Sequence, residues 1–371
     1  MILSAADRLH VELTRVVQLN CDIADARHAG DLTLCIYLLQ MREFFRWERG
    51  LPFGATLARD AVGQWIAARE QHWDTLLDRP FLPLPMASTA PAVDPFDVEA
   101  INAGLTPFGL LYGAGVGPGA RPVFFLARRH SAARREGLRV LQAGKELARG
   151  LAAPPAVLAG GADGPIVLRR ESIARMGWER FEAFGLRPGA RSAFAHASRA
   201  YGFDIGFDHG LARWMEDQVE LATLHELGEH TVGQQLGPAW THMRLSLPSR
   251  RAELLAVAVR DHLADLLITL PTLLDRAQPA AVHAWFSGLD GLRASLFPAL
   301  AQAYAAWLDS GEDAVLRFAV AAGRAHFGAL AGRLLALRAC GAGGQAMEAE
   351  LTADTAACRL VTPVPRARAC T

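Results

Sequence analysis

Seven of the chain's twelve histidines, His196, His209, His225, His230, His242, His262 and His283, fall within about a quarter of its length. Imidazole is the commonest protein metal ligand and the side chain that titrates nearest neutral pH, so this window is where metal or acid–base chemistry is sought first. At its centre stands Leu224-His225-Glu226-Leu227-Gly228-Glu229-His230. The stretch misses the zinc-protease pattern HExxH by one residue: Glu229 takes the place of the second histidine, and His230 follows about 100° further round a helix. The inverted pattern HxxEH also fails, because Glu226 occupies its first histidine position. A zinc-protease assignment is therefore excluded.

The spacing does put His225 and Glu229 on one helix face, and Glu226 and His230 on another, each pair at i,i+4. On a helical wheel His225 and Glu229 lie with Gln218 in the middle of an apolar side made by Leu211, Trp214, Ala222, Val232 and Leu236. Polar groups on a core-facing side must find partners. The next helix, Glu253 to Leu270, is apolar around most of its circumference and keeps a narrow polar stripe of Arg251, Asp261, His262, Asp265 and Thr269. Glu43 occupies a similar position between Arg42 and Arg46 on an earlier helix.

Histidines and carboxylates projecting inward from facing helices are how bundles hold iron or manganese. His225, Glu229, Asp261 and His262 are the leading ligand candidates, with His230, Asp265 and Glu43 as further ligands or supports and Glu226 as an acid–base group. Zinc ranks behind iron and manganese. Arg42 or Arg46 is the candidate holder of an anionic group on a small-molecule substrate. This is the expectation of a metal-dependent, oxidative enzyme. A purely structural arginine–carboxylate–histidine network that fixes helix register would use the same residues.

The positioning elements follow from periodicity and punctuation. Three helices are expected over 4–76; Asp31 is the expected N-cap of the second, whose first two turns, apolar on every side, predict a central buried position, with Cys35 in the core. A proline-punctuated stretch follows over 80–104. Between 105 and 187 the pattern predicts a small, mainly antiparallel module: strands at Phe108–Tyr112 and Pro122–Ala127 joined by the loop Gly113–Gly119, then Leu138–Leu141 and Pro165–Leu168, closed by a helix near 171–184. Gly113–Gly119 lacks the ending of a phosphate loop and leads into a strand, so a hairpin loop is the reading. Helices at about 190–201, 208–236, 249–270, 279–309 and 312–338 predict a C-terminal bundle over 188–356, with a frayed tail over 357–371. The fold class expected is mainly α, α+β overall.

Charge offers a second class of function. Residues 105–191 hold 14 basic and 6 acidic side chains, and residues 192–271 hold 6 and 10. Arg128, Arg129, His130, Arg134, Arg135, Arg169 and Arg170 could form a patch for a phosphate-bearing partner, a nucleotide or nucleic acid, or dock on the acidic unit of the same chain.

With 371 residues, 51% hydrophobic, and zero net charge, the chain has ample material for a folded core and is not disordered. No run approaches the 18–20 apolar residues of a spanning helix, and charge follows the first methionine closely, so the expectation is a cytoplasmic protein with no membrane segment. Five cysteines without a CxxC pair fit free thiols in a reducing compartment. The single lysine, Lys145, against 37 arginines reflects genome composition rather than catalysis. The run Cys35–Glu48, with Gly144–Arg149 and Ala153–Ala156, resembles an uncharacterised bacterial protein family over most of the chain; the resemblance implies no activity, cofactor or site.

Overall fold

The computed structural model describes residues 5–86, 91–117, 121–158, 164–186, 189 and 192–358. The chain is mainly helical with one small β-sheet, and it separates into two compact units, Met1–Arg180 and Phe181–Thr371. The N-terminal helices, the proline-punctuated stretch and the β module, set apart in the sequence, thus belong to one unit.

In the first unit α1 (Ala5–His28), α2 (Leu34–Glu48), α3 (Arg59–Asp74) and α4 (Val98–Leu105) accompany a five-stranded sheet. Its strands are β1 (Leu110–Val116), β2 (Pro122–Arg135), β3 (Leu138–Arg149), β4 (Ala156–Leu158) and β5 (Ile166–Arg169), in the order β1-β2-β3-β5-β4. Leu13, Val16, Val17 and Cys21 recur along α1 at helical spacing and pack on Tyr112, Phe124 and Leu126 of the sheet. The sheet is antiparallel except that β3 and β5 run parallel. Register shifts between Leu126 and Ser131 mark β-bulges in β2.

Three expectations for this unit need correction. The N-cap of α2 is Thr33 rather than Asp31, which lies in a short 3₁₀ turn, Ala29–Asp31. The first two turns of α2 are not buried: Leu34, Cys35, Ile36, Leu38 and Leu39 are all exposed. Burial begins only at Met41, where the helix reaches Trp65 and Trp73. Apolarity all round a helix is a reason for burial, but here the neighbouring elements cover only its second half. The strands also run further than their apolar runs, since β1 includes Gly113–Val116 and β3 continues to Arg149. Residues 118–120 of the expected loop lie outside the described residues.

After α5 (Arg170–Leu186) the second unit is a helical bundle: α6 (Ala193–Tyr201), α7 (Phe207–Leu245), α8 (Arg250–Ala264), α9 (Leu270–Asp275), α10 (Pro279–Ser287), α11 (Gly291–Leu296), α12 (Pro298–Ser310), α13 (Asp313–Ala339) and α14 (Gly344–Cys358). Ser192 and Ser249 cap α6 and α8 through their hydroxyls. Helix α7 bends at Gly237, which takes a left-handed φ of 65° before Pro238. Residues 249–270 are not one regular α-helix: a π turn, Asp265–Thr269, joins α8 to α9. The single helix expected over 279–309 is three, α10 to α12, and α14 was not foreseen. From 359 on, the expected tail lies outside the described residues. No helix among the described residues is long and apolar enough to cross a membrane.

Candidate metal centre

Helix α7 brings His225 and Glu229 to α8 because one residue between them has no side chain. A Cβ on Gly228 would lie 2.5 Å from the carbonyl oxygen of Ala264 and 3.0 Å from its Cα. The two backbones are therefore in close approach where Asp261 and Asp265 flank Ala264. One nitrogen of His225 and one carboxylate oxygen each of Glu229 and Asp261 all lie within 4.8 Å of one another. Ligands held at 2.0–2.2 Å by one ion stand about 3–4 Å apart, so small side-chain rotations would bring these atoms to ligand spacing. All three residues are half-buried, leaving the site reachable from solvent.

The other face of His225 is anchored. Its Nδ1 lies 2.9 Å from Oδ1 of Asp265, whose side chain is 1% exposed, while Nε2 lies 3.6 Å from Oε1 of Glu229. Metal-bound histidines characteristically donate their second ring N–H to a carboxylate, which fixes tautomer and ring orientation. Asp265 opens the π turn of the α8–α9 helix, an irregularity found frequently at functional sites. Arg293 of α11 pairs with the other oxygen of Asp265, and Arg260 of α8 pairs with Glu229 at 2.7 Å.

These charges set the protonation pattern. Despite burial, the carboxylates of Asp265 and Glu229 hold His225 well above the ordinary imidazole range. The imidazolium and the arginines in turn hold Asp265 and Glu229 below the ordinary carboxylate range against the opposing effect of burial. Burial and the nearby Glu229 charge push Asp261 up to about 7 and Glu226 up to about 6. With only protons present, the site retains them on His225 and Asp261, where a divalent cation would replace their charge.

The remaining sequence candidates have other places. His262 is fully buried, its Nε2 2.9 Å from the carbonyl oxygen of Arg293, and its ring stacks on Phe327 at 4.8 Å between centroids. Burial and Arg293 lower its pKa to about 4. It therefore stands neutral, holding the backbone of the residue that holds Asp265, and the structure does not bring it into the triad. His230 bonds Gln234 at 2.8 Å. Glu43, Arg42 and Arg46 belong to the first unit: Glu43 is buried and accepts from Arg42 at 2.9 Å and Arg46 at 3.2 Å. Arg46 also donates to the carbonyls of Pro52 and Ala55. Of the basic patch, Arg128, His130 and Arg134 are exposed on β2, whereas Arg169 is completely buried.

Arg260 and Arg293 were missed. Arg260 precedes Asp261 and falls off the polar stripe of the wheel. Arg293 arrives on a short helix whose spatial neighbours have no local sequence signal.

Gly228→Ala tests the close approach. Alanine is ordinarily about 1 kcal/mol better than glycine inside a helix. Here its Cβ would force two packed backbones apart, and overpacking costs about 1–3 kcal/mol. The expected result in urea unfolding is a net loss of about 1 kcal/mol; a gain would show that the helices part freely.

Two family models cover the chain: the N-terminal domain of a family of unknown function (DUF6866) matches residues 12–169, and its C-terminal domain matches residues 174–355. The junction between them lies close to the boundary between the two compact units. No curated protein and no solved structure matches the chain. The protein belongs to the DUF6866 family.

Proposed function

We propose that the second unit is a metal-dependent enzyme, oxidative in its chemistry, with iron or manganese held by His225, Glu229 and Asp261. The observation that carries this reading is the convergence of three ligand-type side chains whose histidine is locked by Asp265 on its opposite nitrogen. One imidazole with two carboxylates is an oxygen-rich donor set that suits manganese or ferrous iron better than a closed zinc site. Three protein ligands leave coordination positions for water and substrate.

Such an ion would supply Lewis acidity and one-electron redox change. The protein's own groups do the rest. Asp265 accepts a hydrogen bond from Nδ1–H of His225 and so leaves Nε2, on the side of Glu229, as the nitrogen free to ligate. Arg293 keeps Asp265 ionised, and Arg260 limits the negative charge on Glu229. Glu226, with its pKa raised to about 6, exchanges protons near neutral pH and is the acid–base group of the scheme.

The test is a manganese titration of the full chain, followed by loss of the free-ion paramagnetic resonance signal. One ion bound per chain, with binding abolished by His225→Ala, is the expected result. No saturable binding, or equal binding by the variant, would overturn the assignment and leave these residues as a network that fixes helix register.

A further inference from the structure

The first unit contains a cavity of about 980 Å³ within the size range of small-molecule sites. Its charged rim is unequal in one respect. The acidic residues that line it are engaged: Asp22 pairs with Arg69 at 3.2 Å, Glu48 pairs with Arg69, and Glu146 pairs with Arg169 at 2.7 Å. Arg15, Arg49 and Arg79 line the same cavity and are exposed, and among the described residues no carboxylate lies within 4.0 Å of their guanidinium groups.

The wall behind this rim holds buried guanidinium donors without hydrogen-bond partners. Glu146 is the carboxylate that two buried arginines share, Arg169 at 2.7 Å and Arg149 at 3.8 Å, and Glu171 is a further negative charge that acts on Arg149. Arg149 is 2% exposed and Arg169 is 0% exposed. Nε and Nη2 of Arg149, and both Nη atoms of Arg169, are buried and make no hydrogen bond. Buried guanidinium donors are normally satisfied by carboxylate, phosphate or carbonyl oxygen. Arg149 lies 5.3 Å from the ring of Trp47, which with Glu146 forms part of the cavity wall. Val11, Leu19 and Leu147 add apolar surface.

We infer that this cavity binds a small organic anion, its phosphate or carboxylate group held by Arg15, Arg49 and Arg79, with the positive charge of Arg149 behind Trp47 adding to the attraction. The apolar side chains take the organic body. This site lies wholly within the first unit and is independent of the metal reading. It uses residues other than the exposed patch on β2.

Phenyl phosphate and benzoate share one body and differ in head group, so they separate the two anion classes. Thermal unfolding of the full chain is measured with each, against sodium chloride at matched ionic strength. A saturable rise in midpoint, about 3–6 °C at ten times the dissociation constant, is expected with the preferred head group. The exposed-residue variant Arg15→Ser/Arg49→Ser/Arg79→Ser and the volume-preserving Arg149→Met should both lose that rise while keeping the far-ultraviolet circular dichroism of the parent. A rise with either probe that both variants lose supports the site and names its class. No saturable rise with either probe, or a rise that survives in either variant, overturns it.

Discussion

Asp265→Ala is expected to lower the stability of the second unit by about 3 kcal/mol, measured by chemical denaturation. Asp265 is 1% exposed and carries two cationic partners, His225 and Arg293, each with a side chain 27% exposed. Removing one member of a buried charge pair typically costs 3–5 kcal/mol, because the remaining charge loses its partner without regaining water. The lower end applies here, since both partners keep some solvent contact. Asp265→Asn retains an acceptor for His225 and should cost less.

The pH dependence has a definite sign. The Asp265 pKa is depressed from 3.8, so its contribution is present above that value and lost as pH falls toward the folded-state pKa. The His225 pKa is raised above 6.5, so its contribution is present below that value and lost as pH rises through the folded-state pKa. Together they stabilise most between about pH 4 and 6.5. Asp265→Ala should flatten both limbs. An alanine variant as stable as the parent, with an unchanged pH profile, would contradict the ion-pair geometry.

The second large effect is on metal affinity. A doubly protonated His225 cannot ligate, and the Asp261 pKa is raised to about 7. A cation must displace both protons below neutral pH and the His225 proton above it. Manganese affinity should therefore rise with pH by about a factor of ten per unit for each proton displaced. Asp265→Asn removes both the partner that orients His225 and the charge that holds its second proton, so the rise of affinity with pH should flatten. Affinity that does not change with pH, or an asparagine variant with the parent's full pH dependence, would contradict His225 as a ligand.

The sequence carried the donor half of this site and little of its support. His225 and Glu229 at i,i+4 on an apolar face, and Asp261 and Asp265 on the polar stripe of the next helix, are local patterns that a 3.6-residue period exposes. The bundle itself was equally legible from helical periodicity and punctuation. Arg293 was not, because its partnership with Asp265 depends on how α11 folds back, and that information is not local. His262 shares the stripe yet turns to the carbonyl of Arg293, since residues adjacent on a helix lie about 100° apart and need not reach the same cavity. Gly228 gave no signal because a single glycine inside a helix reads as a weakness until the neighbouring backbone is known. The exposed start of α2 was misread for a related reason: composition says that a surface is apolar, not what covers it. The short β4 and the parallel pairing of β3 with β5 also depend on partners distant in sequence.

The most direct measurement is the metal content of the untagged, purified chain by plasma mass spectrometry, beside the variant His225→Ala/Glu229→Ala. The account predicts close to one iron or manganese per chain in the parent and none in a folded variant. A parent without metal, or a variant that retains the same amount, would contradict the metal centre and leave His225, Glu229, Asp261 and Asp265 as a charge network that holds α7 against α8.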